Sequence, residues 1–120
     1  MKVSKTKKAA TPTAGNPVAA SSDPSGKSVD QLIQELKTGK DEIVRSSSAG
    51  ALGQLKAEKA VGSLIRALKD SHVYVRHGAA WALGEIKSEK AIEALKQALN
   101  DADEVTRGKA AEALEKIQRK

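Results

Sequence analysis

The chain repeats itself every 31 residues, as from Val44 to Val75, and this period constrains the fold more than any other feature. The segments VRSSSAGALGQL (Val44–Leu55), VRHGAAWALGEI (Val75–Ile86) and TRGKAAEALEKI (Thr106–Ile117) align at this interval. Between them, EKAVGSLIRALKD aligns with EKAIEALKQALND. Periods of about 20–50 residues are typical of solenoids, in which each unit buries its apolar face only against its neighbours.

Each repeat predicts a helical hairpin, because its apolar residues recur at the spacing of one helix face. Aromatic residues make up only 2% of the chain and Phe is absent, so the core must consist of Ala, Leu, Ile and Val. Helices are predicted at 28–38, 41–56, 58–69, 72–87, 89–100 and 102–119. The predicted middle core stripe comprises Val61, Leu64, Ile65, Leu68, Val75, Ala79, Ala82, Leu83 and Ile86. The predicted fold class is all-α: an α-α superhelix, a short solenoid of six helices in three hairpins.

The glycine of the recurring ALG motif indicates where neighbouring helices approach closely. Gly53 and Gly84 occupy this position in the first two repeats, and a missing side chain leaves room for the next helix. Glu115 stands there in the third repeat. A charge is tolerated at this position only if nothing stacks beyond it, so the last helix is predicted to be a cap.

At these residues the chain resembles HEAT-like repeats of the phycobilisome-lyase type, an armadillo-type family built on D…VRxxAAxALGxI followed by AVxxLxxALxD. The resemblance covers about residues 28–120. It implies a structural ladder of Asp–Arg pairs across the turns, formed by Arg45, Asp70, Arg76, Asp101 and Arg107. In the first turn Thr38 stands in the aspartate position, with one extra residue before Arg45.

Residues 1–27 differ from the rest of the chain. They contain all three prolines and show no apolar periodicity, a composition that predicts a disordered tail before a repeat domain at 28–120. The tail carries five lysines against one aspartate, four of the net six positive charges. Weak nucleic-acid association is therefore expected only through the tail. The GKS at its end lacks the first glycine of a phosphate loop, and Ser28 is predicted to cap the first helix with Gln31.

The residues give little support to an enzymatic function, and we expect no catalytic residue, metal or cofactor. Cysteine is absent. The segment RHGAAWALGE resembles the paired His-Glu motifs of the di-iron hydroxylases of deoxyhypusine, but Gly78 follows His77 where an iron site would require a carboxylate. An accessory subunit of a hydroxylase-like or bilin-lyase-like enzyme remains an alternative function.

The middle repeat holds the only Trp and the only Tyr of the chain. A helical wheel assigns five residues to the side opposite the core stripe: Tyr74, His77, Gly78, Trp81 and Glu85. The equivalent positions of the flanking helices add Ser47, Gln54, Lys109, Glu112 and Lys116. In the resembled family these helices line the concave face. The competing interpretation is that Trp81 and Tyr74 lean across neighbouring helices and seal the stack.

The predicted function is therefore binding of another protein through the concave face, with an aromatic centre and a polar rim. No membrane span is expected, because no apolar run approaches the roughly 18 residues required. We expect a cytoplasmic protein that is a monomer or a weak homodimer.

Overall fold

The computed structural model describes residues 26–119, and every regular element in that range is helical. The helices are α1 (Val29–Thr38), α2 (Glu42–Gln54), α3 (Val61–Ala67), α4 (Val73–Ile86), α5 (Ile92–Ala98) and α6 (Glu104–Arg119). A single 3₁₀ turn precedes α3 at Glu58–Ala60 and α5 at Glu89–Ala91. The predicted six-helix superhelix is confirmed. The predicted tail lies outside the described residues, except for its last two positions.

The helices form two layers. In the inner layer α2 packs against α4 and α4 packs against α6, while α1, α3 and α5 each pack on the helix that follows them. Each hairpin therefore contributes one helix to each layer. Among residues 26–119, no helix is both long enough and apolar enough to cross a bilayer.

The predicted core stripe lies between the layers. Leu64, Val75 and Leu83 are fully buried, as are the alanines at 79 and 82. Ile65 and Ile86 are only partly buried, but they pack against the same cluster. Burial of a side chain of this size stabilises the fold by about 1.5–3 kcal/mol, so the core is strong although it has almost no aromatic residues.

The two glycines of the ALG motif lie where the inner helices approach most closely. A Cβ on Gly53 would lie 2.8 Å from the Cα of Ala82, and one on Gly84 would lie 2.9 Å from the Cα of Ala113. No side chain fits at such distances without a shift of the neighbouring backbone. Glu115, at the equivalent position of α6, is exposed and pairs with Arg119 at 3.4 Å.

The inner helices are capped by side chains at equivalent positions of the three repeats. Asp41 accepts a hydrogen bond from the backbone N–H of Ile43 at 2.8 Å, and His72 accepts one from Tyr74 at 3.3 Å. At α6, Asp103 accepts from the N–H of Thr106 at 2.8 Å. The predicted capping box at α1 is also present: Ser28 accepts from the N–H of Gln31, whose side chain accepts from the N–H of Ser28.

The Asp–Arg ladder connects successive repeats. The guanidinium of Arg45 donates two hydrogen bonds to Asp70, at 2.9 and 3.1 Å. One repeat later, Nε of Arg76 lies 3.0 Å from an oxygen of Asp101, but at an angle that makes no hydrogen bond. Each aspartate therefore pairs with the arginine of the preceding repeat.

Each ladder arginine also reaches back across its own turn. It donates to the backbone carbonyl six residues earlier: Arg45 to Gly39 at 2.9 Å, Arg76 to Asp70 at 2.8 Å and Arg107 to Asp101 at 2.8 Å. The prediction that Thr38 occupies the aspartate position was wrong. Gly39 occupies it, no extra residue intervenes, and a backbone carbonyl does not depend on the side chain of its residue.

Candidate functional site

Three exposed apolar side chains stand at the start of the inner helices, which we call the apolar row: Ile43, Tyr74 and Val105. They occupy the same position in successive repeats, 31 residues apart, as Ile43 to Tyr74 shows. Their exposed fractions are 65%, 62% and 49%. Sequence reasoning identified Tyr74 alone, although the 31-residue period by itself leads from Tyr74 to the other two.

Two imidazoles flank Tyr74. The ring of His72 lies 5.3 Å from the tyrosine ring, and the ring of His77 lies 5.8 Å away in an edge-on arrangement. Edge-on and tilted ring pairs at these distances attract each other weakly. Tyr74 is thus held in place by its neighbours while most of its surface faces solvent.

His77 is engaged within the fold. Its Nε2 lies 2.6 Å from Oδ2 of Asp103, the residue before α6. The same oxygen accepts from the backbone N–H and the hydroxyl of Thr106, at 2.8 and 3.0 Å. The bond from His77, followed by those from Thr106, lowers the pKa of Asp103 to about 2. The pair ties α4 to the start of α6, so His77 is a supporting residue of the surface.

Gly78 and Trp81, which the helical wheel assigns to the solvent side, are only partly exposed. A Cβ on Gly78 would lie 3.2 Å from the Cβ of Ala49, so this glycine faces α2. Trp81 is partly buried against the core, and its ring lies over Gly53. It covers the contact between α2 and α4, as the competing interpretation proposed. The reason is that α4 has an inner helix on each flank, so more than one stripe of it is buried.

Glu85 connects the other ends of the inner helices. It accepts from Lys116 of α6 and lies 3.8 Å from Nζ of Lys56, just beyond α2. The hydrogen bond from Lys116 lowers the pKa of Glu85. Glu85 and Lys116 were predicted to contact a partner, but in the structure they contact each other.

The other predicted positions lie on the flanking inner helices. Ser47 and Gln54 on α2 and Glu112 on α6 are exposed, and Lys109 is partly exposed. These four residues and the apolar row remain accessible to a partner.

Within residues 26–119 no three His, Cys, Asp or Glu side chains are grouped so that they could hold a metal ion. His77 and Asp103 bind each other and Thr106. The site offers a contact surface of exposed side chains on fixed helices.

Stacked helical hairpins with this close inner packing define an α-helical repeat protein. The family model for HEAT repeats matches residues 29–115, and the chain belongs to the HEAT repeat family.

Among solved structures, the chain is similar to human deoxyhypusine hydroxylase in complex with glycerol, at 31% sequence identity and a TM-score of 0.71. The match covers 77% of this chain and 32% of the human chain, so this chain spans about a third of the length of that enzyme. No curated protein matches the chain.

Proposed function

We propose that this chain is a non-catalytic scaffold that binds another protein through the inner helices α2, α4 and α6. The observation that carries the proposal is the apolar row, in which three repeats each expose one large apolar side chain at the same register. Single exposed apolar residues are ordinary on protein surfaces. Their recurrence at the same position on three adjacent helices is typical of an interaction surface.

The rigidity of the inner layer supports the proposal. The close contacts at Gly53 and Gly84, the His77–Asp103 bond and the pairing of Glu85 with Lys116 hold the three helices together. Side chains that are already ordered lose little conformational entropy on binding. A partner would therefore lose little of its contact energy with Tyr74 and its neighbours to the cost of ordering these side chains.

We further infer that the inner layer is the concave side of the stack, and that the repeats are of the phycobilisome-lyase type. The first inference follows from the spacing of the layers. Glycine contacts bring the inner helices closer than helices with side chains at these positions could lie, so the stack curves toward them. The second rests on the VRxxAAxALGxI motif, which the middle repeat matches fully.

The test is affinity capture from a native extract with the full chain as bait. The variant is Ile43→Ser with Tyr74→Ala, which removes two members of the apolar row. Leu99→Ser is the matched control, because Leu99 is an exposed apolar residue (38%) at the end of α5, outside the row. Circular dichroism on each bait verifies the fold.

We expect a protein that the wild type and the Leu99 variant retain and the row variant loses. Equal retention by all three baits, or no specific retention by any of them, would contradict the proposed function.

A second candidate is a role as an accessory part of a hydroxylase-like or bilin-lyase-like enzyme, and the likeness to deoxyhypusine hydroxylase favours the hydroxylase-like form of it. The residues fit an iron site poorly: Gly78 follows His77, and Nε2 of His77 lies against Asp103. The discriminating measurement is metal content after anaerobic loading with Fe(II), together with a visible absorbance spectrum. Stoichiometric iron or a visible band would favour the enzyme role, and a colourless, metal-free protein would favour the scaffold.

A further inference from the structure

The distance between neighbouring side chains of the apolar row follows from the distance between the packed inner helices. Axes of packed helices lie about 8–10 Å apart. The helix starts are held together as well: Nε2 of His72 lies 3.7 Å from Glu42, and His77 binds Asp103. The three exposed side chains therefore recur in steps of about 8–10 Å.

Acidic groups surround the row. The three residues that begin each inner helix carry four carboxylates and one imidazole: Asp41, Glu42, Asp103, Glu104 and His72. Asp41 and Glu104 are exposed, and the side chain of Glu42 is 43% exposed. The cations beside the row are already engaged at two places: Lys27, in the groove with Ile43, pairs with Glu35, and the guanidinium of Arg107 donates to the carbonyls of Asp101 and Ala102. Lys40 precedes Asp41, and Lys109 lies beside Val105. This acidic strip contrasts with the net charge of +6 of the whole chain.

The main chain at the row offers few hydrogen bonds to a ligand. The N–H groups of Ile43 and Tyr74 donate to the capping side chains of Asp41 and His72, and that of Thr106 donates to Asp103. An extended peptide needs partners for its own backbone groups. A helix satisfies its backbone internally and presents only side chains. The row therefore favours a helical ligand.

The two ends of the row differ in shape. At the α2 end, Ile43 borders a groove of about 310 Å³ whose other lining residues include Leu32, Val44 and Ser48. At the α6 end, Val105 lies beside a shallower, more polar surface with Glu104 and Lys109.

On these observations, and resting on the function proposed above, we propose that the partner segment is a basic amphipathic helix with apolar residues at heptad spacing. One heptad of α-helix rises about 10.5 Å, close to the upper end of the 8–10 Å step of the row. Apolar residues at i, i+7 and i+14 would contact Ile43, Tyr74 and Val105 in succession. Lysines or arginines beside them would face the carboxylates of Asp41, Glu42 and Glu104.

The test uses three fluorescein-labelled peptides of equal length and high intrinsic helicity, titrated with the full-length protein at physiological ionic strength. The first peptide carries Leu at i, i+7 and i+14 on a Lys-rich background. The second moves the same leucines to i, i+5 and i+10, which places them on different helix faces. The third keeps the heptad and replaces the lysines with glutamates.

We expect the basic heptad peptide to bind about tenfold or more tightly than either comparison peptide. Ile43→Ser with Tyr74→Ala should abolish that preference, and Leu99→Ser should preserve it. Charge reversal at Glu42→Lys with Glu104→Lys should shift the preference toward the acidic peptide. This last variant leaves the apolar row intact, so it keeps the test decisive if the row variant fails to fold.

Equal binding of the basic heptad and respaced peptides, or binding that survives loss of the row, would overturn the inference. The proposed function can fail separately. If extract proteins bind through the row while none of the peptides shows the expected preference, the scaffold function stands and the partner is not a basic helix. If the peptides bind as expected but no extract protein depends on the row, the surface chemistry is right and the proposed function is not supported.

Discussion

Two glycines of one helix, Gly50 and Gly53 in α2, are expected to respond to alanine in opposite directions. An alanine is more favourable than a glycine in a helix interior by about 0.8–1 kcal/mol. At Gly50 the added methyl group would have no atom within 4 Å, apart from its own helix backbone and chain neighbours. Gly50→Ala should therefore stabilise the protein by up to about 1 kcal/mol.

At Gly53 the same methyl group meets fixed atoms. It would lie 2.7 Å from Cζ3 of Trp81, 2.8 Å from the Cα of Ala82 and 2.9 Å from the Cβ of Ala82. One of these atoms is backbone, so α4 must shift, and overpacking of this kind costs about 1–3 kcal/mol. Two of the contacts involve the Cα and Cβ of Ala82, which no side-chain rotation can move, so the cost of overpacking lies in the upper part of this range. After the gain in helix propensity, Gly53→Ala should destabilise the protein by about 2 kcal/mol.

The measurement is urea unfolding of both variants and the wild type, followed by circular dichroism. Fluorescence of Trp81 provides a second probe, because its ring lies over Gly53 and must move in that variant. We expect the two variants to differ by about 3 kcal/mol in the free energy of unfolding, with the wild type between them. If Gly53→Ala is as stable as Gly50→Ala, α2 and α4 do not approach each other as closely at Gly53 as the structure shows.

Three further outcomes are expected. Asp70→Asn should lower the free energy of unfolding by about 1–3 kcal/mol, because it weakens two charged bonds from Arg45, and urea unfolding measures the loss. The pKa of Asp103 is lowered from 3.8 to about 2, so its stabilising contribution is complete above about pH 4 and disappears as the pH falls toward 2. Wild type should therefore be more stable than Asp103→Asn at pH 5, and the difference should shrink toward pH 2; a constant difference would contradict the assignment. Deletion of residues 1–27 should remove any retention on DNA, and that retention should fall steeply with salt; salt-resistant retention after deletion would indicate a site in the folded domain.

The hairpins and their boundaries could be predicted from the sequence within a few residues. Apolar periodicity, the Ser28–Gln31 capping box and the 31-residue period are local or repeated signals. The main errors in extent are at 58–69 and 89–100, where 3₁₀ turns occupy Glu58–Ala60 before α3 and Glu89–Ala91 before α5. The spacing of the apolar residues does not distinguish such a turn from the first turn of an α-helix.

The candidate site was predicted less well, and the errors share a cause. Trp81 and Gly78 lie outside the main apolar stripe of α4, but α2 approaches that flank and covers them. His77 has its partner in Asp103, 26 residues away, and no local pattern indicates the pair. The other two members of the apolar row, Ile43 and Val105, were available from the period and were missed.

The sequence by itself determined the repeat, its helices and the glycines at which the helices meet, because each depends on residue type at a regular interval. Only the tertiary structure decided which flanks of α4 are covered, which charges pair, and which apolar residues remain in solvent. These outcomes depend on the distance and orientation of helices from other repeats. Trp81 on a lone hairpin would be a surface residue; beside Gly53 of the preceding repeat it becomes part of the packing. Tyr74, in the first turn of the same helix, lies beyond those contacts and remains exposed.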